Sequence, residues 1–131
     1  MIQGPLALTF KRAKMPLRLE NGHITGVDPA TPERIRTWVE QAIHVAGRPD
    51  WIFVKVYTHA APEKVADSYL GEGGEMLHRE LTTRYNDGHE WVLHYVTARE
   101  MYNIAIAAME GKTGNPGAYR DHVLPPPPVA G

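Results

Sequence analysis

Arg48-Pro-Asp-Trp-Ile-Phe-Val-Lys-Val-Tyr-Thr-His59 is the stretch on which the fold reading turns. Between Pro49-Asp50 and the polar Thr58-His59, Trp51 to Thr58 is a dense run of β-branched and aromatic residues. It is too short for an ordinary helix and reads as a buried strand. Trp91 to Thr97 repeats that composition almost element for element. Between the two, Ala60 to Gly74 carries Pro62 and three glycines and reads as a loop. A helix is then expected from about Glu75 to Tyr85, with Met76, Leu77, Leu81 and Tyr85 on its apolar face and Asn86-Asp87-Gly88 ending it. A strand returned by a helix to a second strand implies a parallel pair with a right-handed crossover.

Working outward, Thr97-Ala-Arg-Glu100 has the form of a capping box, with Thr at the cap and Glu three residues on. Met101, Tyr102, Ala105, Ala108 and Met109 fall on one face of the helix that follows, and Gly111 closes it. The tail 113–131, with Pro125 to Pro128, is expected to be extended. Upstream, Asn21-Gly22 between Leu17, Leu19 and Ile24 predicts a β-hairpin at about 17–27. Thr31 with Pro32 predicts a helix start, and Ile35, Trp38, Val39, Ala42, Ile43 and Ala46 continue it to Gly47. The expected whole is one α/β domain over 1–131: a hairpin, two parallel strands and three helices, with β/α repeats over about 51–111. A sheet this small leaves edges to protect, so self-association or a missing N-terminal half is expected to cover them.

The 131 residues suit one hydrophobic core, and 43% hydrophobic with 22% charged residues is a globular composition. Fourteen Lys and Arg against 15 Asp and Glu, with no long run of one sign, argue against nucleic acid or an anionic membrane as partner. There is no cysteine, which excludes disulfides and thiolate metal sites. The first ten residues lack the pattern of a signal peptide, and no apolar run approaches the roughly 18 to 20 residues that span a bilayer. A cytoplasmic protein is the expectation.

In parallel α/β folds the loops at the carboxyl ends of strands collect functional residues. By the period-two rule Phe53, Lys55, Tyr57 and His59 share one strand face, and Ile52, Val54 and Val56 share the other. Lys55 in mid-strand either binds a substrate or partner carboxylate, or marks a solvated edge. His59 is the candidate general acid or base, since imidazole titrates near neutral pH, or else a strand-end histidine bonded to backbone. Lys55, Tyr57, Glu63 and Arg99 are candidate substrate-binding residues, with Arg99 and Glu100 also accounted for by helix capping. The seven histidines show no metal-ligand spacing such as H-E-x-x-H, so neither a metal nor another cofactor is expected. Trp38, Trp51 and Trp91 read as core or rim.

The stretch from Arg48 to His59, together with Arg84-Tyr-Asn-Asp-Gly88, His94-Tyr-Val-Thr-Ala-Arg-Glu-Met-Tyr-Asn103 and Lys112-Thr-Gly-Asn-Pro-Gly117, resembles the C-terminal region of bacterial polysaccharide-deacetylase-like proteins. The resemblance runs from about Leu17 to Pro125. It implies a partial (β/α)-barrel-like unit, in a family whose enzymes remove acetyl groups from polysaccharides with a divalent metal. The metal ligands of that family, an Asp and two His from the N-terminal half, have no counterpart here. What the resemblance leaves is His59 as the late-strand histidine that assists the leaving group, with departures at Tyr57, where the family places histidine, and at Ala60, where it places glycine. The chain is therefore expected to be a fragment or truncated homologue, not catalytic alone and carbohydrate-binding. Two alternatives stand beside it: a small homodimeric enzyme with a composite site from His59, Glu63, Lys55 and Arg99, and a protein-interaction module acting through the proline tail.

Overall fold

In a computed structural model, residues 2–10, 17–59, 63–123 and 126 are described. The chain divides into two compact units, Met1–Ile43 with Val54–Leu93, and His44–Phe53 with His94–Gly131. Of the three points of division, those after Phe53 and after Leu93 fall inside the stretches expected to be strands.

In the first unit, β1 (Leu6–Thr9) and β2 (Arg18–Asn21) pair antiparallel, with Leu8 opposite Leu19 and Leu6 opposite Asn21. A hairpin is present, but not the one expected at about 17–27: Asn21-Gly22 is no hairpin turn, Asn21 ends β2, and the partner strand is the upstream β1. Asn21 Oδ1 instead accepts from the His23 backbone N–H at 2.8 Å, a local turn that steers the chain away. Gly22 is required for another reason. A Cβ there would sit 2.5 Å from the Lys55 carbonyl oxygen, so only glycine admits the close approach of residue 55. That approach lets Tyr57 N–H donate to the Gly22 carbonyl and Ile24 N–H donate to the Tyr57 carbonyl, both at 2.9 Å, an isolated parallel bridge between His23 and Tyr57.

The parallel strand pair is not formed. Among the described residues the ladder between β1 and β2 is antiparallel and two-stranded, and neither 51–58 nor 91–97 joins a sheet. Local hydrogen bonding accounts for part of this: Asn86 Oδ1 takes the Leu93 N–H at 3.1 Å, and the Trp91 carbonyl accepts from Gly88 N–H at 3.0 Å. The Asn86 side chain and the Gly88 backbone have captured groups that a ladder would use.

The three expected helices each have a counterpart, and a fourth is added. In α1 (Pro32–Glu40), Thr31 caps by accepting from Arg34 N–H, and Pro32 occupies the first turn. It stops well before Gly47 because Ala42 takes φ +46°, a conformation a helix cannot continue through. The segment expected to be a loop contains α2 (Glu63–Leu70), which runs through Gly71 into α3 (Glu72–Arg84). Ile24, Ala30, Ile35, Trp38 and Leu77 form the core of this unit, with Val54, Val56, Met76, Leu81 and Tyr85 packed against it.

In the second unit α4 (Ala98–Met109) carries the expected capping box: Thr97 Oγ1 accepts from Glu100 N–H, and the Glu100 carboxylate accepts from Thr97 N–H at 2.6 Å. Gly111, at φ +76°, ends it as foreseen, with Gly111 N–H donating to Ala108 and Lys112 N–H to Ala107. The tail is not extended throughout, since Pro116–Tyr119 forms a 3-10 turn. That turn brings the Tyr119 ring to 5.6 Å from Trp51, whose indole donates to the Gly114 carbonyl. The run Pro125 to Pro128 falls largely outside the described residues. Among the described residues no helix is long and apolar enough to cross a membrane.

Candidate functional site

The segment 54–59 separates its side chains by alternation, as any extended chain does. Val54 and Val56 turn toward the core of the first unit, while Lys55, Tyr57 and His59 are exposed. Tyr57 is fixed at its backbone by the bridge to Gly22 and Ile24. Its ring stacks on His23, with centroids 4.9 Å apart and planes 7° from parallel. His59 stands edge-on to both rings, 5.2 Å from His23 and 6.0 Å from Tyr57. The cluster is therefore a flat, supported phenol flanked by two imidazoles, with Tyr57 still 40% exposed. His23 is the member that sequence reading passed over; its only signal was its place directly after Asn21-Gly22.

A ring held flat on one side and open on the other can stack on a planar or apolar ligand face, and imidazole edges can hydrogen-bond its rim. Acid–base catalysis asks for more. A working histidine base is normally oriented by a carboxylate or another hydrogen-bonding group. His59 is exposed and its ring contacts are with His23 and Tyr57, and Lys55, on the same side of the segment, is exposed.

Glu63 and Arg99, the other expected site residues, are each described within their own unit. Glu63 opens α2 as an exposed first-turn acid, and residues 60–62 that would link it to His59 lie outside the described residues. Arg99 belongs to the second unit, where it forms an exposed ion pair with Asp121 at 2.7 Å. In that unit His94 lies partly buried with its ring against Gly117, and burial first, then the Arg120 charge, lowers its pKa. Among the described residues no group of three or more His, Asp or Glu could hold a metal ion.

The most elaborate polar cluster is structural. Arg34 and Glu20 are both buried and pair at 2.9 Å. Arg34 also donates to the carbonyls of Asn21, His23, Asp28 and Pro29, which saturates its donors and fastens the 21–30 loop to α1. Glu20 further accepts from the Trp38 indole at 3.0 Å and pairs with Arg18, which in turn holds Asp28. The hydrogen bond to Asp28 is the foremost cause of a raised pKa at Arg18. By holding residues 21–24, this network fixes the His23 ring that supports Tyr57.

Comparison with known protein families, with curated proteins and with solved structures finds no match to this chain.

Proposed function

We propose that this chain is a truncated homologue of a polysaccharide-deacetylase-like protein, a partial (β/α)-barrel unit that contributes carbohydrate contact and no catalysis of its own. The observation that carries the carbohydrate reading is the His23–Tyr57 stack, with Tyr57 open to solvent and Lys55 and His59 beside it. Sugar rings present an apolar face ringed by hydroxyls, and this face offers a stacking ring with donors and acceptors at its edge. The partial-barrel part of the reading rests on sequence alone, on the β-rich composition of 51–58 and 91–97, since neither segment joins a described sheet. In a barrel such segments would find neighbours on both sides.

The alternative of a composite homodimeric enzyme draws less support. It needs Lys55, His59, Glu63 and Arg99 within hydrogen-bond reach, whereas Arg99 already pairs with Asp121 and Lys55 and His59 are exposed. The protein-interaction reading rests on a proline run that lies largely outside the described residues.

The test is to incubate the chain with an N-acetylated amino-sugar oligosaccharide, with and without added divalent metal. Acetate release and binding are followed in parallel. The expected result is no acetate release, and weak binding that is lost in Tyr57→Ala. Acetate release abolished by His59→Ala would overturn the non-catalytic reading, and absence of binding would overturn the carbohydrate reading.

A further inference from the structure

The hairpin is turned inside out. Its inner face carries Arg18 and Glu20, committed to the buried network with Arg34 and Trp38. By alternation its other face carries Leu6 and Leu8 on β1 and Leu19 on β2, with Leu8 directly across from Leu19. Phe10 and Leu17 flank them, and all five side chains are between 47% and 83% exposed. A sheet normally buries its apolar face and shows its charged one to water. Here the order is reversed.

From this face we propose that two copies of the chain associate through their hairpins, leucine face against leucine face across a two-fold axis. The occupant follows from three properties of the surface. The five side chains together present on the order of 500 Å² of apolar surface, more than half of the roughly 800 Å² per partner in a standard interface and at the upper end of what a monomer exposes in one patch. An isologous contact brings every group against its own kind, which defeats a charged face and suits one whose exposed members are Leu and Phe. And two small sheets can stack face to face at about 10 Å separation, with their leucines interdigitating. The inference is independent of the carbohydrate reading, whose residues are Lys55, Tyr57 and His59.

Two measurements decide it. Sedimentation over a wide concentration range should show a reversible monomer–dimer equilibrium, and Leu8→Glu with Leu19→Glu should weaken it at least tenfold while leaving the circular dichroism, and the melting temperature at dilutions where both are monomeric, unchanged. These side chains face solvent within one copy, so an unfolded variant is not expected. Because the chain has no cysteine, a single Leu19→Cys should form a disulfide-linked dimer under mild oxidation, whereas Glu75→Cys, on the exposed side of α3, should not. A monomer at every concentration, together with no preferential cross-linking at Leu19→Cys, would overturn the proposal. A dimer that survives both glutamates would overturn it equally, placing the contact elsewhere.

Discussion

Two helices in this molecule begin with the same device and are held in place by quite different means. Both α1 and α4 start at a threonine whose hydroxyl accepts a backbone N–H three residues on. At α1 the next layer is buried: Arg34, in the first turn, is 4% exposed and joined to Glu20 and four backbone carbonyls. At α4 the next layer is at the surface: Arg99 reaches Asp121, both largely in water. The lesson is that a cap fixes where a helix starts, while burial of its charged partners decides how much the tertiary structure depends on it. Buried pairs cannot be broken without stranding a charge, whereas exposed ones are replaced by water.

The largest effect is expected at Arg34. Arg34→Ala should destabilise the first unit by about 3–5 kcal/mol, since Glu20 and several carbonyls lose their buried partner, and chemical denaturation would show it. A loss under about 1 kcal/mol would mean that the network is ornamental. Gly22→Ala should follow, at roughly 1–3 kcal/mol, because the added methyl meets the Lys55 carbonyl and forces the 54–57 segment away. The same variant should disturb the His23–Tyr57 stack, visible as a change in Tyr57 ring shifts. Thr97→Ala should cost about 1 kcal/mol by removing the α4 cap. Arg99→Ala should change stability by no more than about 0.5 kcal/mol, the range of an exposed pair.

A smaller, pH-dependent effect is expected within the second unit. Burial and Arg120 lower the His94 pKa below its ordinary 6.5, so the folded unit favours the neutral ring. Its contribution to stability is fully present above 6.5 and is lost as the pH falls from there through the lower folded-state value. His94→Gln should flatten that part of the stability profile. Glu100, whose pKa is lowered first by the Thr97 backbone N–H, gives the analogous loss at more acid pH, as the folded-state carboxylate is protonated.

Much of the local structure was legible in the sequence, and the reason is that caps are local. Thr31-Pro32, the Thr97–Glu100 box, Gly111 and the Asn86-Asp87-Gly88 stop each satisfy backbone groups within a few residues. Asp87 does so three times over, accepting from the N–H groups of His89, Glu90 and Trp91, the last being the foremost cause of its lowered pKa. What was not legible was pairing. Trp51 to Thr58 and Trp91 to Thr97 have the composition of strands, but a strand needs a neighbour, and no local signal names it. Asn21-Gly22 has the composition of a hairpin turn, while the structure uses Gly22 for the absence of a side chain beside the Lys55 carbonyl. Of the site, the shared face of Lys55, Tyr57 and His59 followed from alternation alone. The stacking of His23 beneath Tyr57 depends on the Arg34–Glu20 network, whose members are scattered from position 18 to position 38.

The measurement that bears most directly on the proposed function is a nuclear magnetic resonance titration of the chain with an N-acetylated amino-sugar oligosaccharide, following the ring resonances of His23, Tyr57 and His59. Saturable shifts at all three, abolished by Tyr57→Ala and absent at Tyr119 in the second unit, are the expected result. Unmoved rings at Tyr57 and His59 at saturating sugar, or shifts confined to another part of the chain, would contradict it.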